Sequence, residues 1–221
     1  MDNVTFEVSR GTFFGCFGPN GAGKSSLIKI LTGAVEPTLG SVRVLNKDVL
    51  KEGAHIRLRI GIVPESESPP SFLTVVEFLK FVTELHHCDN GDKAIDKWLD
   101  YFDLREKKDT LCKDLSKGMR QKIMLSAAFI HDPEILFLDE PFINLDPIYQ
   151  SRLRTLLKEF VKEGKTIFMC SHILEIAEKL CDKVMVLNKG KVLAAGSFAE
   201  LKQKENETLE QIFMRLVGKS D

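Results

Sequence analysis

No stretch of this sequence approaches the ~20 consecutive apolar residues that a membrane-spanning helix requires. The N-terminus, Met1-Asp2-Asn3, lacks the basic-then-apolar segment of a secretory signal. Neither sign of charge dominates: 31 Lys and Arg stand against 32 Asp and Glu, a net charge of -1. There is therefore no global field to attract nucleic acid or an anionic membrane, and any phosphate must be bound by a local site. Cysteine is sparse. Cys16, Cys88, Cys112, Cys170 and Cys181 are scattered, odd in number and nowhere spaced C-x-x-C. That argues against a disulfide framework or a zinc site and for a reducing cytoplasm. The expected location is cytoplasmic unless a membrane partner holds the chain. Internal repeats and low-complexity segments are also missing. What remains is a chain of 221 residues, long enough to bury a substantial core unaided.

The apolar pattern sorts the chain into three parts. Val4–Val8 alternates as a strand does, and Thr12–Phe17 is a short apolar run before a glycine-rich loop. Ser25–Leu31 then reads as a helix, and Val42–Leu45 and Ile60–Val63 as strands. From about Ser66 to Pro133 the period changes. Thr74-Val75-Val76-Glu77 is a capping box opening a helix with Val75, Phe78, Leu79, Val82 and Leu85 on one face. Ile95, Trp98, Leu99 and Phe102 mark a second helix, and a third starts near Ser116 and stops before Pro133. Strands return at Ile135–Leu138, Thr166–Cys170 and Lys183–Leu187; the first two are almost continuously apolar, as parallel strands covered on both faces are. Asp146-Pro147 caps a helix that ends at Gly164. Asn188-Lys189-Gly190-Lys191 turns a hairpin, and Phe198–Val217 reads as an amphipathic helical tail.

Gly18-Pro19-Asn20-Gly21-Ala22-Gly23-Lys24-Ser25 fits G-x-x-x-x-G-K-S/T between an apolar strand and a helix. Glycines there let successive backbone N–H groups turn toward phosphate oxygens, and the helix adds its positive end. Lys24 is placed to reach the β- and γ-phosphates and the Ser25 hydroxyl to ligate Mg²⁺; Ser26 completes the phosphate-binding set. Asp139-Glu140 closes the Ile135–Leu138 strand. Two adjacent carboxylates at a buried strand end need cations or donors, and alternation along the strand gives them different directions. Asp139 is expected at the magnesium shell and Glu140 at the attacking water.

These two motifs are general to P-loop NTPases; the next one narrows the class. Leu115-Ser116-Lys117-Gly118-Met119-Arg120-Gln121 resembles the signature of ABC ATPases, in the L-S-K-G-M form of drug and antibiotic exporters. Nearly the whole chain, Val4–Gly218, follows that family's order. The resemblance implies a RecA-like α/β P-loop core with an antiparallel β part and an inserted helical subdomain, all in one nucleotide-binding domain (1–221). The core lobe would be 1–65 and 134–198, the helical subdomain 66–133 and the C-terminal helix 199–218, with no regulatory domain appended. It further implies a head-to-tail pair of ATPase subunits, alike or different. Ser116, Lys117 and Gly118 of one would cover the ATP on the phosphate loop of the other. Asp146, in Asn144-Leu145-Asp146-Pro147, would link the two sites. His172 would contact the γ-phosphate and keep Glu140 and the water in line. A separate integral-membrane subunit, met through the helical insertion, would carry the cargo and hold the chain on the inner membrane face; nucleic acid is not an expected partner.

Two features depart from the family pattern. The loop after Ile60–Val63 normally carries glutamine, and here Glu65 takes its place. Glutamate can ligate magnesium through oxygen but adds charge near the γ-phosphate, so a raised dependence on magnesium is expected. The aromatic residue that stacks on adenine from a strand upstream of Val4 has no counterpart; Phe6 reads as core. Base–aromatic stacking is worth roughly 1–3 kcal/mol, so weaker ATP binding with little adenine preference is expected. His86-His87-Cys88 reads as a solvated helix end, and the basic stretch Arg105, Lys107, Lys108, Lys113, Lys117, Arg120 and Lys122 as a solvated face. The competing functions are a low-turnover ATP-binding half of an asymmetric pair, a translation or DNA-repair ABC protein, and a kinase. The last leaves Ser116-Lys117-Gly118 and His172 without a purpose.

Overall fold

The computed structural model describes residues 1–66, 69–204 and 206–218. Its elements, in order, are β1 (Phe13–Phe17), α1 (Lys24–Leu31), β2 (Arg43–Val44), β3 (Lys47–Asp48), α2 (Gly53–Arg57) and β4 (Ile60–Val63). The helices α3 (Val75–Leu85), α4 (Gly91–Tyr101) and α5 (Lys117–Phe129) follow, then β5 (Ile135–Asp139), α6 (Pro147–Lys162) and β6 (Thr166–Ser171). The chain continues through α7 (Leu174–Leu180), β7 (Lys183–Asn188), β8 (Lys191–Gly196), α8 (Phe198–Leu201) and α9 (Leu209–Val217).

Six strands form one sheet in the order β4-β5-β6-β1-β7-β8, parallel except for the β7–β8 hairpin. Lys189 and Gly190 both have positive φ in that hairpin's turn, as the short loop Asn188–Lys191 demands. β2 and β3 make a separate antiparallel pair. Alternation splits the core between the faces of the main sheet. Phe14, Cys16, Phe137, Phe168 and Cys170 pack toward α1, whereas Phe13, Phe17, Leu136, Leu138, Ile167 and Met169 pack toward the inserted helices and α6 and α7. The capping box at Thr74 forms, and Val75, Phe78, Leu79 and Val82 are buried behind it. Ile95, Trp98, Leu99 and Phe102 are buried as expected. α5 runs from the insertion back onto β4, so close that a Cβ on Gly61 would lie 2.2 Å from the Ala128 carbonyl oxygen.

The structure corrects several expectations. Val4–Val8 has the inside-outside alternation of a strand, with Val4, Phe6 and Val8 packed on the α1-side core. Among the described residues, however, no strand pairs with it; the alternation reports one-sided burial, not a ladder. Phe6 is a core ring, 5.9 Å from both Phe14 and Phe168. β2 is shorter than Val42–Leu45 because Leu45 and Asn46 take positive φ in a turn. Leu85 is exposed at the helix end. The tail is two helices, α8 and α9, each opened by its own capping box at Ser197 and Thr208, with no continuous helix between them. α2 was not foreseen; Ile56 is its main buried apolar side chain, and one such residue leaves no period to read.

Candidate nucleotide site

β1 delivers the glycine-rich loop and α1 receives it. Gly18 lies so close to β7 that a Cβ would be 2.2 Å from the Leu187 carbonyl oxygen, and Gly21 and Gly23 have φ of +80° and +106°. The loop is pinned from within by Ala22 N–H donating to the Pro19 carbonyl (3.1 Å) and from outside by Gly190 N–H donating to the Ala22 carbonyl (2.9 Å). Lys24 is buried, and its ammonium donates to the carbonyls of Gly18 (2.8 Å) and Pro19 (3.2 Å). The loop thus encloses its own lysine. Ser25, the second residue of α1, donates to Glu65 Oε2 at 3.3 Å.

The carboxylate strand end lies beside this loop. Asp139 shares a sheet face with Phe137 and so points to the α1 side. Burial pushes its carboxyl above the usual range; a hydrogen bond from Ser25 opposes the shift, and Glu65 and Glu140 add to it. Asp139 Oδ1 is buried with no hydrogen-bond partner. An unpartnered buried carboxylate oxygen, next to a hydroxyl and a second carboxylate, is the donor set that a hard divalent cation takes. Ser25, Asp139 and Glu65 therefore fit a magnesium ion.

Glu140 leaves the strand with φ +51°, in the left-handed region that few such residues occupy. Its N–H donates to the Cys170 carbonyl (2.9 Å). Its own carboxylate is buried, with a partner at each oxygen: Ser171 Oγ donates to Oε2 (2.9 Å), and His172 Nδ1 lies 2.7 Å from Oε1. A carboxylate acceptor requires a proton on Nδ1. Sequence reasoning missed Ser171. The only sign of it was its place beside His172.

The signature segment folds as an N-terminal cap. Ser116 Oγ accepts the Met119 N–H (3.2 Å), leaving Lys117 and Gly118 in the first turn of α5. A Cβ on Gly118 would lie 2.7 Å from the Asn144 carbonyl oxygen. Gln121, also unassigned from sequence, is buried and donates to the Pro141 carbonyl (3.0 Å). Asp146 caps α6 by accepting the N–H groups of Ile148 and Tyr149. Two solvated readings need correction. His86 is partly buried, its ring stacked on His131 at 3.6 Å. Lys122 sits over the Tyr149 ring, 3.0 Å from its centroid. The first contact joins the end of α3 to the end of α5 and the second joins α5 to α6, and neither partner is near in sequence.

A parallel sheet whose central strand ends in this loop, with a carboxylate pair at the end of β5 on the far side of β6, defines a P-loop nucleotide-binding protein. The comparisons make that class specific. The family model described as ABC transporter matches residues 1–143. An uncharacterized ABC transporter ATP-binding protein of Methanocaldococcus jannaschii is 38% identical over 206 residues, covering 92% of this chain and 74% of that protein. The daunorubicin resistance ATP-binding protein DrrA3 of Streptomyces coeruleorubidus is 33% identical over 220 residues, covering 99% of this chain and 70% of that protein. A solved ATP-binding subunit of an ABC transporter superposes with a TM-score of 0.92 at 29% identity, covering 97% of this chain and 91% of that one. This chain belongs to the ABC transporter family as an ATP-binding subunit, and it is an ATPase.

Proposed function

We propose that the chain is the motor subunit of an exporter, in which closure of two ATPase subunits on Mg-ATP drives a separate membrane subunit. The observation that carries this reading is Glu140, a buried carboxylate held by two donors one residue beyond Asp139, whose Oδ1 has no hydrogen-bond partner. In this account the loop Gly18–Ser26 wraps the triphosphate and Lys24 exchanges its two carbonyl acceptors for phosphate oxygens. Ser25, Asp139 and Glu65 hold magnesium, which when bound neutralises charge on the phosphates. Glu140 takes the proton of the attacking water, and His172 keeps Glu140 and the γ-phosphate in register. Ser116, Lys117 and Gly118 serve the ATP of the partner subunit from the start of α5, and Asp146 fixes the loop between the two sites.

The drug-resistance name of DrrA3 supports an exporter, as does the L-S-K-G-M form. The one observation favouring a low-turnover half of an asymmetric pair is the Ser25–Glu65 bond, which occupies a magnesium ligand with a carboxylate in place of the family's amide. Phosphate release from the purified chain, and light scattering of Glu140→Gln with Mg-ATP, test the proposal. Turnover in the parent with a nucleotide-dependent dimer in the variant is the expected result. A Glu140→Gln chain that hydrolyses ATP at the parental rate removes the assignment.

A further inference from the structure

We propose that Ser171 is a positioning residue for Glu140, one whose hydroxyl sets the carboxylate in the orientation that takes the proton from water. The inference rests on Glu140 being the general base. Ser171 is the last residue of β6 and is 1% exposed. Its hydroxyl has one proton. Ile173 N–H donates to Oγ at 3.1 Å, and Glu140 Oε2 lies 2.9 Å away on the other side. An ionised carboxylate only accepts, so the backbone donor and the carboxylate together fix which way the hydroxyl points. Its proton goes to Oε2.

The sheet register makes this contact. Asp139 pairs with Cys170, and the Glu140 N–H is bonded to the Cys170 carbonyl. Ser171, the next residue of β6, turns to the face opposite α1, and Glu140, one residue past the end of β5 and turned by its φ of +51°, meets it there. Backbone and carboxylate of Glu140 are thus both tied to residues 170–172. The two side-chain donors differ in kind. His172 is 52% exposed, so its partner can be exchanged. Ser171 is enclosed and cannot exchange its partner for solvent. Ser171 therefore holds Oε2 throughout the cycle, while Oε1 is the oxygen whose partner can change. A carboxylate oxygen accepts more than one hydrogen bond, so anchoring Oε2 costs Glu140 no capacity to bind water and removes the rotation that would misdirect it.

The test uses the full chain with Ser171→Ala, Ser171→Thr, Ser171→Cys, Glu140→Gln and the Glu140→Gln/Ser171→Ala double variant, measured by steady-state and single-turnover phosphate release and by nucleotide titration. Loss of one orienting hydrogen bond is expected to lower kcat about tenfold in Ser171→Ala, with KM and nucleotide affinity unchanged. Ser171→Thr, which keeps the hydroxyl, restores kcat; Ser171→Cys, a similar-sized weak donor, falls between. In the Glu140→Gln background Ser171→Ala adds no further loss, because the group it acts through is gone. An unchanged kcat in Ser171→Ala overturns the proposal. So does a loss that Thr does not rescue, or one that multiplies with Glu140→Gln. A Glu140→Gln chain with normal turnover overturns the general-base reading itself, an outcome separate from a silent Ser171→Ala beside an inactive Glu140→Gln.

Discussion

Lys24 donates its ammonium to the carbonyl of Gly18, six residues back, at 2.8 Å. A cation this buried needs acceptors, and here its own loop supplies them. Phosphate oxygens are stronger acceptors because they are charged, so nucleotide exchanges neutral acceptors of the Lys24 ammonium for charged ones. Lys24→Ala should raise the nucleotide Kd at least ~100-fold. It should also lower the stability of the nucleotide-free chain by about 1 kcal/mol, since two loop carbonyls lose their donor. Fluorescent-nucleotide titration and denaturant unfolding measure the two effects. Parental affinity in the variant would contradict the phosphate role.

Glu65 stands where the family resemblance leads one to expect glutamine. It accepts from Ser25 and adds negative charge beside Asp139. Without metal, an approaching triphosphate meets two carboxylates at that point. Glu65→Gln removes one of the charges, and hydrolysis should then reach half its maximum at a magnesium concentration roughly three- to tenfold different. The titration is done at constant ATP. An identical curve would show that Glu65 stands apart from the metal.

Gly118 tests the packing of the signature helix. Alanine is the better helix former by about 1 kcal/mol, yet its Cβ would lie 2.7 Å from the Asn144 carbonyl oxygen. Gly118→Ala should therefore lower stability, by about 1–2 kcal/mol, as the start of α5 is pushed from the loop before Asp146. Urea unfolding reads the sign. A stabilised variant would mean that the loop yields freely.

His131 gives a pH dependence of stability. Burial first, then the neighbouring His86, pull its pKa from 6.5 down to about 4, and its Nε2–H donates to the Ile60 carbonyl. The folded state favours the neutral ring while the unfolded chain protonates near 6.5. Stability from this group is thus complete above about pH 6.5 and falls as pH drops from there to about 4. Partial solvent access keeps the loss to no more than about 3 kcal/mol. His131→Gln should flatten this part of the pH–stability curve, measured by unfolding between pH 4.5 and about 7.5. A parental slope in the variant would place the pH dependence elsewhere.

The strand-loop-helix unit at Gly18–Leu31, the capped helices at Thr74, Ser116 and Asp146, and the three apolar strands were all legible because each is a local pattern. Periodicity, a capping side chain or a glycine loop states its conformation within a few residues. The errors share an opposite cause. Val4–Val8 shows alternation but pairs with no strand among the described residues, and the tail's amphipathic period continues across the break between α8 and α9. Burial pattern alone does not say what a segment bonds to.

Sequence by itself determined which residue types stand in which local setting: a lysine and hydroxyl on a glycine-rich loop, two carboxylates at a strand end, a capped signature helix. Tertiary structure alone decided how they meet. The pairing of Asp139 with Cys170 places Ser171 and His172 on Glu140, some thirty residues away. The same packing sets Gly118 on Asn144, Gln121 on Pro141 and His86 on His131. Side-chain type is a property of one position, whereas a hydrogen bond between distant residues depends on strand register and helix packing, which the whole core settles at once.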